Sequence, residues 1–211
     1  MKALFICLGS LLLMNFIMIL VTGMKYRGLL INHVFHKFYF DSKFNFPSFF
    51  NTFLLLMASG ILYYVHLAYA RKHFRELKWL WLSILFMFMA MEENLSIHFL
   101  LGSLQPDYKV WVIPIAIALV LLTAYFGRLA YILPRKIAIG FFVSGTVYIA
   151  GAIILEFVGA RVQDSFGQWS LIHAGVSTLE ETLEMLGLIL FIGYLLEYIK
   201  LEFQSANLKI E

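Results

Sequence analysis

Long apolar blocks alternate with short polar connectors along most of this chain. A transmembrane helix needs about 20 mostly apolar residues, and six blocks reach that length. Their approximate bounds are 3–23, 48–70, 79–103, 110–133, 137–159 and 169–199. Pro47 stands where the second helix would begin, a position that suits proline. The pattern predicts an all-α polytopic membrane protein, a single domain built as a bundle of about six transmembrane helices.

The segments outside these blocks carry three further expectations. Residues 24–46 are rich in aromatic and basic side chains and are predicted to form an amphipathic connector on the outer membrane surface. Residues 205–211 are predicted to be a frayed tail. The first block has two interpretations, a retained helix or a cleaved signal peptide, although its apolar run is longer than a signal peptide usually needs.

The distribution of Lys and Arg predicts the orientation of the bundle. With both termini in the cytoplasm, ten of these residues lie on the inner side and six on the outer side. Short cytoplasmic loops carry an excess of positive charge, so the sequence predicts an N-in and C-in topology. Trp79 and Trp81 lie at a block end, where tryptophan is expected to anchor a helix in the membrane interface.

Composition agrees with the block pattern and excludes some functions. Hydrophobic residues make up 62% of the chain and its mean hydropathy is +0.84, above the usual composition of a soluble domain. The net charge is +3 and no basic patch is interleaved with aromatics, so nucleic-acid binding is not expected. Cys7 is the only cysteine, which excludes an intramolecular disulfide.

Several ionisable side chains lie inside the predicted helices, where each costs a few kcal/mol unless it faces protein or water. The third block contains Glu92, Glu93 and His98, and the fifth contains Glu156. The sixth contains His173, Glu180, Glu181 and Glu184. Grouped carboxylates and imidazoles can hold zinc, iron or manganese. The candidate metal ligands are therefore these eight residues, with Glu93, Glu180 and Glu184 as candidate catalytic groups.

The sixth block holds the most specific pattern in the sequence. At 100° per residue, a helix places His173, Ser177, Glu180 and Glu184 on one face, with Gly187 continuing it and Glu181 beside it. In the fifth block, Glu156 shares a side with Gly145, Ala152 and Gly159. Small residues there would allow a neighbouring helix to approach closely.

Three functions are compatible with such groups inside a membrane. A metal-bound water or an acid–base pair could act on a lipid-like or other apolar substrate. The same carboxylates could conduct protons or cations through a channel or transporter, which could be a homo-oligomer. The chain could also be a non-catalytic subunit of a larger complex, with the polar faces binding neighbouring helices. Haem is a less favoured cofactor, with His98 and His173 as axial ligands.

Four stretches together carry a resemblance. They are Phe40-Asp41 with Phe46 to Phe50, Met91-Glu92-Glu93 with His98, Gly151-Ala152 with Glu156, and Glu180 through Gly187. Together they resemble a widespread uncharacterised family of multi-pass bacterial inner-membrane proteins, with an acidic pair and histidine in a middle helix and a Glu-Glu-x-x-Glu-Met-x-Gly stretch in the last. Here Glu92 and Phe99 stand where that family usually has aspartate and glutamate. The resemblance implies a location in the bacterial cytoplasmic membrane.

Overall fold

The computed structural model describes residues 1–23, 37–40, 44–70, 77–95, 127, 131, 133–167 and 170–207. The regular elements in these ranges are all helices. We number the α-helices α1 to α6 and leave a π-helical segment, Ala150–Leu155, unnumbered between α4 and α5. The helices are α1 (Lys2–Gly23), α2 (Phe46–Ala70), α3 (Leu77–Leu95), α4 (Arg135–Ile149), α5 (Glu156–Phe166) and α6 (Leu171–Asn207).

Helix α6 is the centre of the described fold. It packs against α1, α2 and the continuous helix formed by α4, the π-helical segment and α5, while α3 packs mainly on α2. Leu54 and Leu55 of α2 meet Met185, Ile189 and Ile192 of α6 in the main hydrophobic core. A side chain on the inner face of α6 therefore lies within reach of several helices.

Aromatic rings of α3 stack on aromatic rings of α6 at two places in the hydrophobic core. Trp79 stacks on Tyr198 with ring centroids 5.5 Å apart, and Phe86 stacks on Phe191 at 5.0 Å. Trp79 is fully buried, whereas Trp81 is 53% exposed. The prediction that Trp79 anchors α3 in the interface was wrong, because its ring fills a space between helices.

Four described helices are long and apolar enough to cross a membrane, which agrees with the predicted class but is fewer than the predicted six. They are Lys2–Val21, Phe46–Ala68, Arg135–Phe166 and Leu171–Glu202. Helix α3 is not among them, because its described residues, Leu77–Leu95, include the charged side chains of Lys78, Glu92 and Glu93. The predicted span 110–133 lies outside the described residues apart from three positions.

Several element bounds also differ from the prediction. The fifth predicted block continues as a helix to Phe166, and α6 extends to Asn207, so residues 205–207 are helical. In the predicted surface connector, Tyr39 and Phe40 are buried. The amide nitrogen of Phe40 donates to Asn15 Oδ1 at 3.3 Å, which ties this segment to α1.

Asn45 caps the N-terminus of α2. It lies two residues before Pro47, near which the sequence predicted this helix to begin. Its Oδ1 accepts a 2.7 Å hydrogen bond from the amide nitrogen of Ser48. Its Nδ2 donates to the carbonyl oxygens of Tyr39 and Phe40, at 2.5 and 3.3 Å. One buried side chain therefore both starts the helix and holds the preceding segment.

We expect Asn45→Ala to destabilise the protein by about 2 kcal/mol, the upper end of the range for a lost helix cap. The size follows from the loss of buried donor and acceptor contacts together. Thermal unfolding in detergent, followed by circular dichroism, measures the change. Asn45→Asp keeps the cap acceptor but not the two donated bonds, so an intermediate loss is expected. Equal stability of the alanine variant and the wild type would contradict this role.

Candidate functional site

The polar face predicted on α6 lies on the inward side of that helix. His173 and Ser177 are buried, and Glu180, Glu181 and Glu184 are partly buried. At the far end of this face, Gly187 lies against α4, where an added Cβ would come within 2.7 Å of the amide nitrogen of Tyr148. The groups that would be costly in hydrocarbon therefore face other helices.

Asn51 of α2 contacts the central carboxylate of this face. Its Nδ2 donates a 3.2 Å hydrogen bond to Glu184 Oε2, and its side chain is fully buried. An amide that donates to a carboxylate stabilises the charged form of that carboxylate. Sequence reasoning missed Asn51, although a lone asparagine within the apolar block 48–70 was a usable signal because polar groups in hydrocarbon are costly.

Carboxyl groups from α3, α5 and α6 interact electrostatically with Glu184. The charged groups that act on it most strongly are Glu93 of α3, Glu180 of α6 and Glu156 at the start of α5. We call these four residues, Glu93, Glu156, Glu180 and Glu184, the carboxylate cluster. Like charges repel, so negative charge on any one of these carboxyl groups disfavours negative charge on the others.

Tyr148 of α4 adds a phenol to the same region. The carboxyl groups that act on it are those of Glu184, Glu93, Glu181 and Glu92, in that order of strength. Carboxyl groups of α3 (Glu92, Glu93) and of α6 (Glu181, Glu184) thus interact electrostatically with the same phenol. A phenol beside carboxylates can donate a hydrogen bond and pass on a proton.

The π-helical segment lies directly beside the cluster. A Cβ added to Gly151 would lie 2.7 Å from the carbonyl oxygen of Glu180 and 3.0 Å from Glu184 Cγ. At Gly159, the nearest described atoms are Glu180 Oε2 and Val176 Cγ1, both at 3.6 Å. The backbone of this helix therefore forms one wall of the site. Such π-helical turns are frequent at functional sites.

The packing face of the continuous helix formed by α4, the π-helical segment and α5 differs from the predicted one. A straight helix would present Gly145, Ala152 and Gly159 together, but Gly145 has no described atom within 4 Å of an added Cβ. The contact face instead runs through Gly140 and Gly151 to Gly159. In a regular helix Gly140 and Gly151 already lie on one face, and the extra residue of the π-helical turn at Ala150–Leu155 turns Gly159 onto that face as well.

Two candidate metal ligands, His173 and His98, are not placed in the carboxylate cluster by the structure. His173 and Glu184 are three turns apart on α6, about 16 Å along the axis, so they cannot bind one ion together. His98 lies outside the described residues. Within the part of the chain that the structure describes, no three His, Cys, Asp or Glu side chains are grouped to hold a metal. The zinc, iron, manganese and haem assignments stay predictions.

The described helices and this cluster define an all-helical protein with four helices of membrane-spanning length and an interior set of carboxylates. The chain belongs to the family described as domain of unknown function DUF8692, whose model matches residues 3–198. No curated protein and no solved structure matches the chain.

Proposed function

We propose that this protein is a multi-pass protein of the bacterial cytoplasmic membrane, with six transmembrane helices and both termini inside. The four helices of sufficient length and apolar character support the membrane location. So do the large apolar side chains exposed along them, such as Phe16, Phe53 and Phe142. The excess of Lys and Arg in the connectors assigned to the cytoplasm supports the orientation.

Within that membrane, we propose that the carboxylate cluster is an acid–base site that binds and releases a proton at Glu184. The observation that carries this proposal is the hydrogen bond from buried Asn51 to Glu184 among further carboxyl groups. The bond holds the Glu184 carboxyl in place. In this proposal Tyr148 and Glu93, which interact electrostatically with Glu184, exchange that proton with it.

An apolar or lipid-like molecule is the substrate class that we propose for this site. The cluster lies between helices with large apolar surfaces, so a substrate dissolved in the bilayer can approach without crossing water. General acid–base catalysis needs a group that can hold a proton beside the reacting atom. Glu184 takes that role in this proposal, with Glu93 and Glu180 as the carboxyl groups that exchange protons with it.

Labelling with an apolar carbodiimide, which adds to protonated carboxyl groups in apolar surroundings, tests the proposed proton site. We expect dicyclohexylcarbodiimide to modify Glu184 in detergent-purified protein, with labelling that falls as the pH rises because the reactive form carries a proton. Mass spectrometry of peptides locates the adduct. Glu184→Gln should abolish it.

Glu197 provides the matched control on the same helix. It forms a 2.6 Å ion pair with Lys136 and lies on an exposed face. Glu197→Gln should leave the labelling of Glu184 unchanged. Labelling spread equally over exposed glutamates, or absent from Glu184 throughout the acidic range, would contradict the proposal.

A further inference from the structure

Tyr39 and Phe40 precede α2 in the chain, yet both side chains are buried among helices. Tyr39 is 4% exposed and packs in a buried cluster with Ala174 of α6. Phe40 is 2% exposed and belongs to the main hydrophobic core, together with Leu54 of α2 and Met185 of α6. Because these two rings come from outside the long helices, they fill a space that the helices leave between them.

That space lies between α1 and α2. Each of these helices packs closely on α6, whereas their backbones make little close contact with each other. The backbone of Phe40 bridges the two, because its amide nitrogen donates to Asn15 Oδ1 of α1 and its carbonyl oxygen accepts from Asn45 Nδ2, both at 3.3 Å. Both asparagines are fully buried, so water does not compete for these bonds. The bonds therefore hold Phe40 in the gap between α1 and α2.

The two residues lie towards one end of the bundle from the Asn51–Glu184 hydrogen bond. Asn45, which holds their carbonyl oxygens, precedes Asn51 by six residues, or about 9 Å along α2. The backbone of Tyr39 and Phe40 is therefore nearer than that hydrogen bond to the end at which α2 and α6 begin. In the topology proposed above, this is the outer end of the protein.

We propose that Tyr39 and Phe40 form a plug that closes the outer end of the acid–base site to water and dissolved ions, so that an apolar substrate reaches the site from the bilayer. This inference rests on the site proposed above and names its route of access. Two packed aromatic rings fill the gap without bringing a charged group into it. Exclusion of water strengthens hydrogen bonds and electrostatic interactions within a site, which is the use of such a plug here.

Reaction of a buried cysteine with a water-soluble thiol reagent tests the plug. The reporter is Asn51→Cys in a Cys7→Ser background, in nanodiscs, where lipid covers the sides of the protein and water reaches both ends. The probe is a methanethiosulfonate with a quaternary ammonium group, because a fixed charge keeps it out of lipid. We expect slow modification while the plug is intact and a reaction about tenfold faster or more in Phe40→Ala, followed by mass spectrometry. Equal rates in the two proteins would overturn the plug.

Two controls separate local opening from general loosening of the bundle. Phe44→Ala is the matched variant, because Phe44 lies close to Phe40 in the chain but is 59% exposed, so the reporter should stay slow. A second reporter, Ser83→Cys, replaces a buried serine of α3 that bonds to Ser59 of α2. It should stay slow in Phe40→Ala. Faster reaction at both reporters would overturn the plug, since the whole bundle would then have loosened.

Cross-linking keeps the inference testable if Phe40→Ala or the reporter does not fold. Tyr39→Cys with Ala174→Cys leaves Phe40 in place, and a short bifunctional methanethiosulfonate should join the two positions because they pack together. Absence of this cross-link would overturn the plug. None of these thiol reactions depends on a proton at Glu184, so their failure leaves the proton site standing. Absence of carbodiimide labelling at Glu184 contradicts the proton site and leaves the thiol results unchanged.

Discussion

Trp79→Ala is expected to cost about 3–5 kcal/mol of stability, the largest loss from a single side chain in the described core. Trp79 is completely buried and stacks on Tyr198, so alanine would leave a cavity between α3 and α6. Lipid chains cannot fill an enclosed cavity of this kind, and packing is the main force between helices in a membrane. Unfolding by heat or by sodium dodecyl sulfate, followed by circular dichroism, measures the loss.

Trp81 is the matched control for this prediction. It lies two residues further along α3 but is 53% exposed, so Trp81→Ala should cost less than about 1 kcal/mol. Trp79→Phe keeps a ring against Tyr198 and should fall between the two alanine variants. Similar losses in Trp79→Ala and Trp81→Ala would contradict the stacking of Trp79 between helices.

The second large effect is expected where the backbones of α4, the π-helical segment and α6 approach most closely. Alanine at Gly187 would place Cβ 2.7 Å from the amide nitrogen of Tyr148, and alanine at Gly151 would place it 2.7 Å from the carbonyl oxygen of Glu180. Backbone atoms cannot move aside as a flexible side chain can, so the helices must separate. We expect each substitution to cost about 1–3 kcal/mol.

Gly151→Ala should also disturb the carboxylate cluster, because its Cβ would lie 3.0 Å from Glu184 Cγ. Carbodiimide labelling of Glu184 should therefore change in Gly151→Ala by more than in Gly187→Ala. Gly145→Ala and Gly175→Ala are the controls on the same two continuous helices, since an added Cβ meets no described atom within 4 Å. Both should be neutral or slightly stabilising, because alanine favours helix. A loss in the controls as large as at Gly151 would contradict the close approach.

Much of the candidate site was predictable from local pattern. The spacing of His173, Ser177, Glu180 and Glu184 identified one face of α6, and the structure turns that face inward. Pro47 marked the start of α2, and α2 begins at Phe46. These features follow from the regular rotation of a helix and from the cost of placing charge in hydrocarbon, both of which act within a short stretch of chain.

Other features depend on contacts between distant segments. Asn51 is one of several polar residues in an apolar block, and only the packing of α2 on α6 shows that it bonds Glu184. Trp79 and Trp81 have the same local surroundings, yet one is buried and the other is not. The sequence pattern does not show how a helix is rotated about its axis relative to a neighbour, and that rotation decides both cases.

Periodicity and composition are local properties of the chain. They therefore predict the helical class, the apolar character of the long helices and the residues on the inner face of α6 without knowledge of the fold. Two features follow only from the tertiary structure: Glu184 interacts electrostatically with the other members of the carboxylate cluster, Glu93, Glu156 and Glu180, and Asn51 donates a hydrogen bond to it. The close approach of Gly140 and Gly151, and not of Gly145, to described atoms of α6 also follows only from the tertiary structure. These outcomes depend on how whole helices pack, which is set by the shapes of surfaces far apart in the chain.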